Sequence, residues 1–381
     1  MSAPSPELVV REAIHLVTRP WSDDLVLSEA GVGDRPRGRD PRVLGRRLYV
    51  LPGFIDAHAH LATSPRLGES GYTDAWRLSP DRARRRLRDH LRAQSRAGVA
   101  GVRDAGAATG DVAELARGRG PHARPFLQAA GRFIAAPRRY PAGVAREVLG
   151  TTHLASAATG EAGRGGGWVK LIGDYLDRDD PSADPAGEWT ATEIGAAVEA
   201  AHAAGARIAI HAMTAEIAQR AIEARVDTLE HGCGLAASDL ALMARLGIAW
   251  TPTLAAFVRL RDRIRAGEDL LPAAFMEAAV DNLRALVPKA AAAGVVLLCG
   301  TDGILGHGEV AREIIAFAYA GLPIDAALRA ATTNGWSLLG LGEPLLAGAP
   351  ADLLLFDRDP RDDPRVLLRP TYVIRAGRLL A

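Results

Sequence analysis

From Pro52 onward one pattern recurs along the chain: a short apolar run, a loop, then a stretch with helical periodicity. Strand-like runs fall at residues 53–58, 100–104, 126–130, 168–172, 207–211, 228–231, 248–252 and 295–300. Helical patterns alternate with them at 80–97 (after the cap candidate Ser79), 192–204, 215–224, 273–293 and 324–339. Strands that alternate with helices form parallel sheets, and eight such units in one stretch predict a (β/α)8 TIM barrel of the α/β class. In such a barrel the chemistry sits at the C-terminal ends of the strands. Those ends are the places to search.

The flanks read differently. Short strand-like runs at 8–17, 24–29 and 47–51 surround a Gly/Arg/Pro/Asp-rich turn region at 31–42. Further runs at 351–357 and 371–376 follow the last helical stretch and could join the N-terminal ones. A chain of 381 residues, 48% hydrophobic, suits a barrel with such an appendage. A net charge of +1 gives no electrostatic case for nucleic acid or membrane. No run approaches the roughly 18 apolar residues of a membrane span, and the start lacks signal-peptide features. Cys233 and Cys299 are too few for a disulfide framework. A soluble, cytoplasmic enzyme is the expectation. The arginine-rich stretch Arg82 to Arg96 reads as a solvated outer helix, with Leu87 and Leu91 marking its buried stripe.

Lys170 stands out against this background. The chain holds 46 basic residues, of which only Lys170 and Lys289 are lysines. Lys170 lies within Gly167-Trp168-Val169-Lys170-Leu171-Ile172-Gly173, which reads as a buried strand. A buried lysine without a partner is expected to be neutral or chemically altered. Arginine, always protonated, cannot take that role.

Metal-competent side chains gather at the other strand ends. His58 and His60, two apart in Asp56-Ala57-His58-Ala59-His60, point the same way at the end of the first strand. His211, His231 and Asp302 end or follow the fifth, sixth and eighth runs. Neutral imidazoles and a carboxylate suit zinc and similar divalent ions. Five strand ends so furnished, Lys170 included, make a constellation that is hard to assign to chance.

These residues stand in motifs that resemble the amidohydrolase superfamily: Pro52-Gly53-Phe54-Ile55-Asp56-Ala57-His58-Ala59-His60, Gly98-Val99-Ala100-Gly101-Val102-Arg103-Asp104, Glu230-His231-Gly232 and Gly300-Thr301-Asp302. Ala330-Ala331-Thr332-Thr333-Asn334 and Gly348-Ala349-Pro350-Ala351-Asp352-Leu353 extend the likeness toward the C-terminus. It runs from about Leu48 onward and is closest to the imidazolonepropionase-related and Xaa-Pro dipeptidase branch. The resemblance implies a small β-sandwich domain built from residues 1–51 and 343–381 around a metal-bearing barrel at 52–342. It implies that His58, His60 and Asp302 hold one metal and His211 and His231 a second, with Lys170 bridging them as a carbamate. Two divalent ions are expected, zinc first among zinc, manganese and iron. A metal-bridging hydroxide would attack the carbonyl of a small amide, N-acyl or dipeptide-like substrate, with His231, Lys170 and Asp302 in the catalytic set. Asp302 would shuttle the proton to the leaving nitrogen. Homo-oligomers are also expected by this resemblance.

Substrate contacts are expected from Arg138 or Arg139, which could grip a carboxylate, from Tyr140 and Tyr175, and from His307 beyond the eighth strand. Dipeptidases of the branch carry an aromatic hydroxyl shortly after the fifth-strand histidine. This chain has His211-Ala212-Met213-Thr214 instead. Two other readings compete with the binuclear one. One is a mononuclear hydrolase of cyclic amides, imidazolonepropionase-like, using His58, His60, His211 and Asp302 with an unmodified Lys170. The other is a non-catalytic barrel scaffold, which should have lost a ligand; none is missing.

Overall fold

Seven of the expected strands pair side by side in one parallel sheet: Phe54–Ala59, Val99–Asp104, Phe126–Ala130, Gly167–Ile172, Arg207–Ala212, Thr228–His231 and Ala249–Thr251, in that spatial order. They belong to a computed structural model that describes residues 6–17, 22–33, 36, 40–64, 78–117, 124–164, 166–180, 183–268 and 270–380. The eighth run, 295–300, makes one isolated bridge, Leu297 to Trp250, rather than a ladder. It nonetheless bonds to both edges of the sheet: the Trp250 N–H donates to the Val296 carbonyl (2.9 Å) and that of Ala57 to the Cys299 carbonyl (2.8 Å). The sheet is thereby nearly closed. The run ends at Gly300, where a Cβ would come within 2.5 Å of the His58 Cβ, so only glycine allows the approach.

Helices pack outside, each burying one stripe. In Pro80–Arg96, Leu87 and Leu91 are buried, while Arg82, Arg84, Arg85, Arg88, Arg92 and Arg96 are exposed. Ser79 occupies the cap position in extended conformation, but its side chain makes no cap bond. Thr190 and Thr214 do cap the helices Ala191–Ala203 and Ala215–Glu223, the former in a reciprocal box with Glu193. The expected helix 324–339 is two helices, Ile324–Ala331 and Thr333–Leu338. Thr332 breaks it with φ −125° and ψ −101°, its hydroxyl donating to the Leu328 carbonyl at 2.6 Å.

Both chain ends meet in a second, eight-stranded sheet. Tyr49–Pro52 lies between Leu8–His15, parallel to it, and Leu353–Phe356, antiparallel. Leu8, Val10, Leu27, Val50, Leu353, Leu355 and Ile374 form its own buried core. This is a small sheet domain standing beside the barrel, continuous with the first barrel strand through Gly53, whose N–H donates to the Asp352 carbonyl at 2.7 Å. Among the described residues, no helix is long and apolar enough to cross a membrane.

Candidate metal centre

The C-terminal ends of the barrel strands surround a cavity of about 80 Å³ lined by His58, His60, Lys170, His211, His231 and Asp302. All six residues expected as metal ligands therefore share one space. The Nε2 atoms of His58 and His60 lie 3.1 and 3.4 Å from the same Asp302 Oδ1. His58, His231 and Asp302 offer ligand atoms all within 4.8 Å of one another. The His211 and His231 rings are 4.5 Å apart, centroid to centroid.

The partners of the opposite ring nitrogens decide what these imidazoles present. His60 Nδ1 faces the Gly106 carbonyl at 2.9 Å, an acceptor only, so Nδ1 carries the hydrogen. His58 Nδ1 faces Glu230 Oε2 at 2.5 Å. Burial works against an ionised Glu230, but Arg103 and His58 hold its carboxyl well below the usual range, so it too accepts. The Thr253 hydroxyl donates to the Pro252 carbonyl (2.7 Å) and must accept from His231 Nδ1, 2.7 Å away. Each ring thus turns an Nε2 lone pair toward the cavity. Three lone pairs and a carboxylate converge there, an arrangement that calls for a cation. The donor set fits a divalent metal.

The remaining groups agree. Burial lowers His231 to about 3 and His211 well below the ordinary imidazole range, keeping both neutral as ligands must be. Asp302 is held well down: burial opposes this, but His231 and His58 overcome it. Lys170 is 1% exposed, and among the described residues its Nζ has no hydrogen-bond partner. Burial drops its amine to about 8. His211 Nε2 is likewise buried and unpartnered among the described residues, 3.9 Å from Asp174 Oδ1.

Strained backbone aims several of these groups. His231 (φ 65°), Thr253 (φ 51°) and Asp302 (φ 55°) occupy the left-handed region, costly for any residue with a Cβ and most so for a β-branched threonine. Because His231 departs from the strand conformation, both it and Glu230 face the barrel interior, where strict alternation would have separated them.

Sequence reasoning did not assign a role to the supports beneath the site. Arg103, 1% exposed, donates to Glu230 Oε1 (2.7 Å) and Thr228 (2.7 Å), and its guanidinium lies 4.5 Å over the Trp168 ring. Asp104 accepts from the Leu61 N–H (2.6 Å) and fixes the turn after His60. Asp56 accepts from Gln94 and Thr301. A charged residue in the apolar run Val99-Ala100-Gly101-Val102-Arg103 was the available signal, the same one that marks Lys170.

Of the residues expected at the substrate, Tyr140 and Tyr175 line the cavity. Arg138 and Arg139 do not. Arg138 pairs with Asp177 (3.0 Å) and Asp179 (3.1 Å), and Arg139 with Glu188 (2.8 Å). His307 also lies off the cavity wall, its ring 3.9 Å from that of His90 and its Nε2 3.1 Å from the Thr63 carbonyl. Cys233 and Cys299 are buried free thiols.

Comparison with known proteins matches this picture. The amidohydrolase family model matches residues 49–380. An uncharacterized protein of Mycobacterium tuberculosis is 35% identical over 343 residues, 87% of this chain and 85% of that protein. A prolidase crystallised with N-methylphosphonate-L-proline is 25% identical with a TM-score of 0.79, covering 98% of this chain and 99% of that one. A Xaa-Pro dipeptidase with bound methionine shares the fold at 22% identity and TM-score 0.81, with coverages of 98% and 99%. The chain belongs to the amidohydrolase family, in the Xaa-Pro dipeptidase-like branch of its superfamily. It is a hydrolase of carbon–nitrogen bonds.

Proposed function

We propose that the protein hydrolyses an amide-type C–N bond of a small molecule with two divalent metals, zinc first among them, held by His58, His60, His211, His231, Asp302 and a carbamylated Lys170. The observation that supports this most is the convergence of three imidazole lone pairs and the Asp302 carboxylate on the cavity that Lys170 also lines. When bound, the metals supply Lewis acidity for the scissile carbonyl and lower the pKa of a water.

The chain's own residues do the rest. An amine with a pKa near 8 is neutral often enough at neutral pH to add carbon dioxide, giving up one N–H proton to water, and among the described residues its buried Nζ has no hydrogen-bond partner. The resulting carbamate would be a carboxylate-like ligand in the cavity that Lys170 shares with the His58/His60 and His211/His231 pairs. Asp302 accepts the proton from the attacking water and delivers it to the leaving nitrogen. Glu230, Thr253 and the Gly106 carbonyl keep the imidazoles in the ligating tautomer.

The mononuclear, cyclic-amide reading keeps Lys170 unmodified and leaves its orphaned amine without a function. Chelation tests the proposal: treatment with dipicolinate should abolish amide hydrolysis, and adding back zinc or manganese should restore it. Undiminished turnover in protein shown to be metal-free would refute it.

A further inference from the structure

The cavity wall away from the metal ligands is mostly apolar, with two phenol hydroxyls as its polar groups. Phe133, Tyr140, Tyr175, Met213, Phe257 and Leu260 are among its lining residues. Ring contacts run continuously from one histidine pair to the other: His60 to Phe133 (5.4 Å), Phe133 to Tyr140 (5.2 Å), Tyr140 to Tyr175 (5.0 Å) and Tyr175 to His211 (5.6 Å). Phe257 closes on His231 from the other side at 5.4 Å. Among the described residues, Lys170 is the only lysine or arginine on the wall, and it sits with the histidines. The two arginines that could have gripped a carboxylate point into acidic company: Arg138 toward Asp177 and Asp179, Arg139 toward Glu188.

Away from the metal centre, a free carboxylate would therefore leave water for a wall that, among the described residues, offers rings, methyl groups and two phenol hydroxyls but no lysine or arginine besides Lys170. That transfer is strongly unfavourable. Aromatic and aliphatic groups, by contrast, gain from the same burial and from edge contacts with the rings. We infer that the substrate is a neutral amide flanked by apolar or aromatic groups, without a free carboxylate next to the scissile bond. This rests on the C–N hydrolase reading and narrows it away from dipeptides and N-acyl amino acids.

N-Acetyl-2-phenylethylamine and N-acetylphenylalanine, which differ by one carboxylate, test this directly. Metal-reconstituted protein should show a kcat/KM at least ~100-fold higher for the neutral compound, as expected when a buried charge lacks a partner. Equal or better use of N-acetylphenylalanine would overturn the inference. Calorimetric binding of the same pair to metal-free protein should follow the same order. If neither compound is hydrolysed, the hydrolase reading suffers, while the binding order still decides this one. Tighter binding of the carboxylated compound, or no binding of the neutral one, contradicts it.

A gain-of-function variant adds an independent arm. Leu260, partly buried on the helix Leu254–Arg265, reaches the cavity from its rim. Leu260→Arg should shift the preference at least tenfold toward N-acetylphenylalanine, whereas Leu260→Gln should not. An unchanged preference in Leu260→Arg would show that the missing cation is not what excludes the carboxylate.

Discussion

His58 Nδ1 and Glu230 Oε2 lie 2.5 Å apart across the barrel interior, and the other carboxylate oxygen of Glu230 is held by Arg103 at 2.7 Å. One ion pair inside the barrel thus orients the imidazole of His58, a proposed metal ligand. Such supports behind a ligand commonly carry 10–100-fold in metal affinity. Glu230→Gln keeps the shape but can present its amide hydrogens to His58 or to Arg103. Metal affinity, read by competition with a chromophoric chelator, should fall by about 10–100-fold. Since the variant also leaves the buried Arg103 without its carboxylate, a lower melting temperature should accompany it. Unchanged affinity would show that His58 is oriented by something else.

Asp302 stands where it can serve both as ligand and as proton carrier, 3.1 Å from His58 Nε2 and 3.4 Å from His60 Nε2. Asp302→Asn should lower kcat by about 10²–10⁴-fold, the usual worth of a positioned acid–base group. Metal analysis of the same sample separates lost chemistry from lost metal. Full activity in a variant that keeps its metals would remove Asp302 from the proton-transfer role.

The His90–His307 ring pair, off the cavity wall, offers a pH prediction. Burial, then the neighbouring His90, lowers His307 from 6.5 to about 3. The unfolded chain therefore takes up the proton first as the pH falls. This contribution to stability is full above about 6.5 and is lost progressively toward about 3, at up to ~1.4 kcal/mol per pH unit. His307→Phe keeps a ring against His90 and removes the titration. Its melting temperature, followed from pH 7 to 4 in the metal-free protein, should decline less steeply than that of the parent. Parallel curves would contradict the assignment.

Much of this architecture was legible in the chain because the barrel strands are short apolar runs of regular spacing and their last residues carry the chemistry. The convergence of His58, His60, Lys170, His211, His231 and Asp302 could be read from their strand-end positions, and all six line the cavity. What escaped depends on backbone geometry or long-range pairing. Strict strand alternation would put Glu230 and His231 on opposite faces, and the left-handed backbone of His231 departs from it. Thr253 carries no sequence mark of its unusual conformation, nor of its bond to His231. Arg138 and Arg139 could be seen as candidate anion grips, but their acidic partners Asp177 and Glu188 lie 39 and 49 residues away in sequence. Thr332 interrupts a helix whose periodicity runs straight through it.

Lys170 carries the central claim, that a buried amine becomes the bridge of a two-metal site. The most direct measurement is metal content per chain, together with specific activity, in the parent protein and in Lys170→Arg. Two equivalents per active chain are expected in the parent. Lys170→Arg, unable to form a carbamate, should lose at least one equivalent and nearly all hydrolysis. One tightly held metal in fully active parent protein, or two metals and normal turnover in Lys170→Arg, would contradict the account.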